Sequence, residues 1–430
     1  MLYYFVRPIA KLGLRVFYRH IHLSNTENIP RDKPVILAAN HPTAFIEPCV
    51  LACFLRRPLY FLVRGNLFKK PLYDFLLRSL HMLPIFRLKD GGYGKLKHNY
   101  LTFQAVFEAL EQNRTVMILA EGSTIQCKRL RPLQKGTARL ALGAIDHSPN
   151  IDEVYVVPVG VNFTYADQPR SKVMVDFGEP LLASDYLEQY RENTNQGIME
   201  LTQALFPAME SRLVNIPNEQ DEELVEDLLR LRRSEHPEPL FPIFSHDSRP
   251  LAVEQKTADL VSRLPQADRE ALQVQAATYF ERLGQFGLSD RALAEGRRLS
   301  GKDRLQLWLG FPLFALGYLL NYPFVWPGIH TSRTRVKTHE FIMPVRWAAN
   351  LGTYLLATIL VLIVSAFTSW WVTAAYAIVL LLGWFSLYYR EFRSRCRFRK
   401  RLGIIPPRQL EKLRRLRSEL NEALKEKAYN

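Results

Sequence analysis

From Lys33 to Pro180, short apolar runs alternate with stretches whose apolar residues recur at three- and four-residue spacing. The runs Val35–Ala39, Leu59–Val63, Met82–Phe86, Thr115–Leu119, Val154–Val159 and Lys172–Phe177 read as strands. Thr102–Gln112 and Gly136–Ile145 carry the helical period. Strands separated by helices predict an α/β domain over residues 25–215, built on a mixed, largely parallel sheet. In such a sheet the chemistry belongs on loops at strand ends.

The pattern then changes twice. Residues 216–300 are rich in Glu, Arg and Leu, with helical spacing at Glu222–Arg233, Ala252–Leu264 and Ala267–Leu283 and a proline-rich break, HPEPLFPIF. This reads as a charged helical insert without chemistry of its own. Next, Trp347–Tyr389 runs for forty-three residues without a charge, enough for two spans at about 347–367 and 371–389. Thr368–Trp371 is the turn between them, its paired tryptophans suited to a membrane interface. Leu305–Ile329 is also uncharged, but Pro312, Pro323 and Pro327 divide it, so it is expected to enter and turn back. The membrane region is thus 301–390, followed by a basic helical tail, 391–430.

Charge sharpens this picture. The chain carries a formal +15, and Arg390–Asn430 alone holds fourteen Lys/Arg against five Glu. Basic residues directly after an apolar block mark a cytoplasmic membrane face, and no nucleic-acid motif is present, so an anionic lipid membrane is the expected polyanion and nucleic acid is not. The catalytic domain is expected to face the cytoplasm. At the N-terminus, Arg7, Lys11, Arg15 and Arg19 interrupt any signal-peptide core. Residues 1–24 fit an interfacial amphipathic helix, and equally a helix packed on the domain. Cys49, Cys53, Cys127 and Cys396 form neither a disulfide framework nor a metal set, so no metal is expected.

Four strand ends carry candidate chemistry. The first gives Asn40-His41-Pro42-Thr43-Ala44-Phe45-Ile46-Glu47, where His41 suits a general base and Glu47, near a helix start at Pro42 or Thr43, suits its orienting carboxylate. Another gives Ile85-Phe86-Arg87 before a basic, glycine-rich loop, a phosphate-binding composition. A third gives Glu121-Gly122-Ser123-Thr124, followed by Arg131 and by Lys135-Gly136 opening a helix, a second anion site. The fourth is Val157-Pro158-Val159-Gly160.

This set, covering about residues 25–180, resembles the glycerolipid acyltransferase family of the lysophosphatidate acyltransferase type. It is most similar to the branch containing glycerol-3-phosphate and dihydroxyacetone-phosphate acyltransferases. The resemblance implies acyl transfer from acyl-CoA or acyl-carrier protein to a phosphorylated glycerol acceptor in phospholipid biosynthesis, with no metal or organic cofactor. It implies His41 as base, Glu47 as its acid, Arg87 at the acceptor phosphate, and Glu121, Gly122 and Ser123 shaping the acceptor site. Two departures stand out. The usual Asp is Glu47, and Ser123-Thr124-Ile125 lacks the Arg that often follows the Glu-Gly block, leaving Arg131 or Lys135 to supply that charge. The competing reading is an inactive lipid-binding membrane scaffold, and a third is a lipid hydrolase using Ser123.

Overall fold

The computed structural model describes residues 2–86 and 99–429. The chain divides into two compact units. One comprises Met1–Asn215, Leu240–Leu251 and Val336–Pro344; the other comprises Ile216–Pro239, Ala252–Arg335 and Val345–Asn430.

The first unit is organised by a nine-stranded sheet. Its strands are β1 His20–Ser24, β2 Val35–Ala39, β3 Leu59–Arg64, β4 Met82–Ile85, β5 Thr115–Leu119, β6 Tyr155–Phe163, β7 Lys172–Phe177, β8 Leu181–Leu182 and β9 Phe244–Ser245. Their order is β4-β3-β5-β2-β6-β7-β1-β9, with β8 on β6. Six pairings are parallel, and only β6 with β7 and β6 with β8 run antiparallel among the described residues. The expected mixed, largely parallel α/β sheet is the one observed. β2 reads Val-Ile-Leu-Ala-Ala with every residue buried, as a central parallel strand covered on both faces requires.

The helices of this unit include α1 Leu2–Phe17, α2 Ile46–Phe54, α3 Pro71–Ser79, α4 Asn99–Glu111, α5 Gly136–His147, α6 Leu187–Glu192 and α7 Thr194–Glu210. Ile36, Ala38, Val116, Ile118 and Val156 of the sheet share one core with Leu110 of α4, Leu140 and Ala144 of α5, and Leu201 and Leu205 of α7. Each such fully buried Leu contributes about 1.5–3 kcal/mol of transfer free energy. That core fixes the register of β2 against β5, which positions the site.

Three boundaries differ from expectation. Residues 20–24 are not part of the N-terminal helix; they form β1, paired along its length with β7. His20 and His22 mask an all-buried strand as a polar one, His22 Nδ1 lying 2.8 Å from Ser245 Oγ. The proline-rich break after α8 Glu222–Glu235 returns to the sheet, where Phe244–Ser245 becomes edge strand β9 beside β1. Residues 336–344, which fall inside the expected membrane region 301–390, belong with the sheet unit. α1 buries Tyr3, Ala10 and Leu14 and packs on α2, yet exposes Tyr4, Phe5, Leu12 and Val16.

The second unit is helical: α8, α9 Arg249–Arg263, α10 Gln266–Gln285, α11 Asp290–Glu295, α12 Gly301–Thr334, α13 His339–Phe367, α14 Trp370–Ile404 and α15 Pro407–Tyr429, with the first turns of α9 and α13 lying in the sheet unit's segments. The insert helices match their sequence pattern closely. The segment expected to enter and turn back at Pro312, Pro323 and Pro327 forms one continuous helix, α12, of 34 residues, its first half packed on α14 through Gly310 and Gly317 and its second half on α13 through Phe324 and Gly328. Each internal proline removes a donor, and elsewhere along α12 side chains of the adjacent helices add hydrogen bonds to its backbone. Tyr389 Oη donates to Leu307 O at 2.5 Å, Ser386 Oγ to Phe314 O at 3.2 Å and Thr353 Oγ1 to Phe324 O at 2.6 Å. Gly317 lets α14 approach closely: a Cβ there would lie 2.4 Å from Leu382 O. α12, α13 and α14 are the three helices, among the described residues, long and apolar enough to cross a membrane, and at most 11% of each apolar window is buried.

Candidate active site

Because Ala39 of β2 pairs with Leu119 of β5, the residues just beyond these parallel strands emerge side by side. His41 N donates to Glu121 Oε2 at 2.7 Å, and Ile125 N donates to His41 O at 3.4 Å. On the opposite flank, the Asn40 side chain bridges to β6, its Nδ2 donating to Val161 O and its Oδ1 accepting from Val161 N at 2.7 Å. Two neighbouring strands therefore lock the backbone that presents His41.

The imidazole lies between a hydroxyl and a carboxylate. Nε2 is 2.7 Å from Thr124 Oγ1, and Nδ1 is 3.6 Å from Glu47 Oε1. The second distance is an ion-pair contact but longer than a hydrogen bond, and Nδ1 is buried without a hydrogen-bond partner. Glu47 itself is fully buried, with Thr43 N donating to Oε1 at 2.5 Å and Thr43 Oγ1 donating to Oε2 at 2.9 Å. The helix expected to begin at Pro42 or Thr43 begins at Ile46 instead. That later start puts Glu47 in the first turn, where the helix dipole favours its charge. The longer side chain folds back onto Thr43. Tyr18, completely buried nearby, has its phenol pushed well up, first by burial and then by the Glu47 carboxylate.

Glu121 serves a different purpose. Besides His41 N it accepts from Arg131 N at 2.9 Å and from the Arg131 guanidinium at 2.7 Å. Arg131 also donates to Ser123 Oγ at 2.8 Å. Gly122 has φ +69°, and a Cβ there would meet Gln134 Cγ at 2.7 Å, so glycine makes this turn possible. Lys135 is exposed and stands at the N-cap position of α5, its side chain making no capping hydrogen bond. Arg87 lies outside the described residues. Beside the ends of β3 and β4, a cavity of about 390 Å³ is lined by Gly65, Lys69, Arg78, Phe86 and Thr102 among others.

The structure thus brings together His41, Glu47, Glu121, Gly122, Ser123 and Arg131. It adds Thr43 and Thr124, which the sequence reading did not assign. Thr124 stood within the Glu-Gly-Ser-Thr block, and its place one residue past a candidate contact was the available signal. Ser123 Oγ is held by Arg131, whereas the imidazole faces Thr124, so the pairing a Ser123 nucleophile requires is not the one formed. Cys49 and Cys53 behave as apolar filling: burial pushes both thiols up, Cys53 to about 12.

Comparison with known proteins places this domain. Residues 20–162 match the family model described as Acyltransferase. Glycerol-3-phosphate O-acyltransferase 2 of Saccharomyces cerevisiae is 30% identical over 127 residues, covering 29% of this chain and 17% of that protein. Glycerol-3-phosphate O-acyltransferase 1 of the same yeast is 29% identical over 132 residues, covering 30% and 17%. An uncharacterized acyltransferase of Schizosaccharomyces pombe is 20% identical over 316 residues, covering 53% and 46%. The chain therefore spans less than half the length of these relatives. A crystal structure of the 1-acyl-sn-glycerophosphate (LPA) acyltransferase from Thermotoga maritima aligns at a TM-score of 0.32 and 21% identity, covering 46% of this chain and 79% of that one.

Proposed function

Because residues 20–162 form a domain of the acyltransferase family, we propose that this chain moves a fatty acyl group from a thioester to a hydroxyl of a phosphorylated glycerol acceptor. The donor is acyl-CoA or acyl-carrier protein, and the acceptor is glycerol 3-phosphate, lysophosphatidate or a relative, at a membrane engaged in phospholipid biosynthesis. The observation that carries this reading is the imidazole of His41 held between the Thr124 hydroxyl and the buried Glu47 carboxylate.

In this mechanism the acceptor hydroxyl takes the place of Thr124 Oγ1 at Nε2. As its oxygen attacks the thioester carbonyl, Nε2 removes the proton, and Glu47 stabilises the resulting imidazolium. When the tetrahedral intermediate collapses, the C–S bond breaks and the imidazolium returns the proton to the leaving thiolate. The thioester supplies the activation, so the step requires no metal or organic cofactor. The 3.6 Å gap between Nδ1 and Glu47 leaves room for that contact to shorten as positive charge develops. Glu121 works on the backbone, fixing His41 and neutralising Arg131, which leaves Arg87 and Lys135 as the cations for the acceptor phosphate. Helices α12, α13 and α14 embed the chain in the bilayer, with the catalytic unit on the cytoplasmic side, where both substrates are made.

The test is to incubate the purified full-length chain with labelled acyl-CoA, alone and with glycerol 3-phosphate, dihydroxyacetone phosphate or lysophosphatidate. Acceptor-dependent labelled ester supports the proposal. Label remaining on CoA would favour a lipid-binding scaffold, and label released as free fatty acid would favour a hydrolase.

A further inference from the structure

We propose that the groove between the start of α12 and the end of α14 binds an anionic membrane phospholipid, separately from the catalytic site. The groove has a volume of about 700 Å³, within the ordinary range for a small-molecule site. α12 contributes Arg304, Leu307, Trp308, Phe311 and Pro312, and α14 contributes Tyr389, Arg393, Arg397 and Lys400. The spacings 304-308-311 and 389-393-397-400 each describe one helix face, so two stripes look at each other across the cavity.

Its polarity is graded. The two helices run antiparallel, since Asp303 pairs with Arg399 at 3.2 Å and a Cβ on Gly310 would touch the Tyr389 ring at 2.5 Å. Arg304, Arg397 and Lys400 therefore share one end, and Phe311, Pro312 and Tyr389 share the other. From Lys400 to Tyr389 is eleven residues of helix, roughly 16 Å at 1.5 Å per residue. That length accommodates a phosphate head at the basic end and the upper part of an acyl chain along the aromatic end.

The charge is uncompensated. Arg399 is paired with Asp303 and Glu295, and Arg297 with Asp303. Among the described residues, Arg304, Arg393, Arg397 and Lys400 have no acidic side chain within ion-pair distance, and all four are exposed. Four exposed cations around an apolar slot with Trp308 at its wall, 75% exposed, complement an anionic amphiphile rather than a zwitterionic one.

This inference rests on α12–α14 being membrane-embedded. The experiment is native mass spectrometry of the detergent-solubilised full chain, titrated with phosphatidylglycerol or phosphatidylcholine of the same acyl composition. Phosphatidylglycerol should bind at least tenfold more tightly, and the triple variant Arg393→Gln, Arg397→Gln, Lys400→Gln should lose that preference while keeping its fold by circular dichroism. Equal binding of both lipids, or a preference unchanged in the triple variant, would overturn the site. Displacement of phosphatidylglycerol by a non-hydrolysable acyl-CoA analogue at equal concentration would overturn it too, by making the groove a donor site. The same titration on His41→Ala keeps the result independent of catalysis. Extraction of the chain from membranes by alkaline carbonate would instead refute the membrane reading beneath it.

Discussion

At the strand ends of the sheet unit, polar side chains meet one another across long stretches of sequence. His41 is held by Glu121, eighty residues away, and faces Thr124, while Glu47 is gripped at both oxygens by Thr43. Among α12, α13 and α14 the buried polar groups mostly reach backbone instead. Asn321 Nδ2 donates to Gly317 O at 2.8 Å and to Val379 O at 2.9 Å, and Tyr354 Oη donates to Asn321 Oδ1 at 2.9 Å. The second arrangement suits helix packing without water, where a buried polar side chain must find its partner in backbone or on a neighbouring helix. The first leaves His41 Nδ1 buried without a hydrogen-bond partner, 3.6 Å from a carboxylate. In one region polar side chains converge on a single imidazole; in the other they serve the helix backbone.

Turnover should follow this division. His41→Ala is expected to lower the rate of acyl transfer by about 10²–10⁴-fold, the usual loss on removing a general base, with an unchanged melting temperature. Glu47→Gln should cost less, roughly 10–10²-fold, because the imidazole survives and only its charge partner weakens. Glu47→Asp sharpens the point: the Thr43 contacts are built around the longer side chain, so the shorter one should be slower than wild type rather than faster. Steady-state kinetics at saturating donor checks all three.

Thr124→Val should change turnover by less than about tenfold, since the acceptor hydroxyl and not the threonine is the group that loses its proton. A loss as large as that of His41→Ala would instead mean that Thr124 itself carries the acyl group. On the other side of the comparison, Asn321→Leu should leave turnover unchanged in detergent. It should lower thermal stability modestly, by about 1 kcal/mol, because Tyr354 Oη loses its acceptor. A collapse of activity without a loss of stability would break the distinction between the two regions.

Most of the sheet was legible because buried parallel strands announce themselves as short apolar runs. Val35–Ala39, Thr115–Leu119 and Lys172–Phe177 end where the sequence pattern ends. β1 was not legible, because His20 and His22 look polar until the side chains opposite them are known, and β9 has only two residues. The helical continuity of α12 through Pro312, Pro323 and Pro327 was not legible for a related reason: its packing partners on α13 and α14 lie far along the chain. At the site, the motifs offered His41, Glu47 and the Glu-Gly-Ser block as candidates, and the fold brings them together. The division of labour between the two glutamates depends on tertiary contacts: only the pairing of Ala39 with Leu119 shows that Glu121 binds the His41 backbone.

The central claim is that His41 and Glu47 act as one unit on the acceptor proton. A double-mutant cycle in labelled acyl transfer tests it most directly, comparing His41→Ala, Glu47→Gln and the double variant at saturating donor and acceptor. If Glu47 acts only through the imidazole, the double variant will be no slower than His41→Ala alone, as groups working as a unit lose their effect together. If instead the two losses multiply, Glu47 contributes independently of His41, and the account of a carboxylate stabilising the imidazolium is wrong.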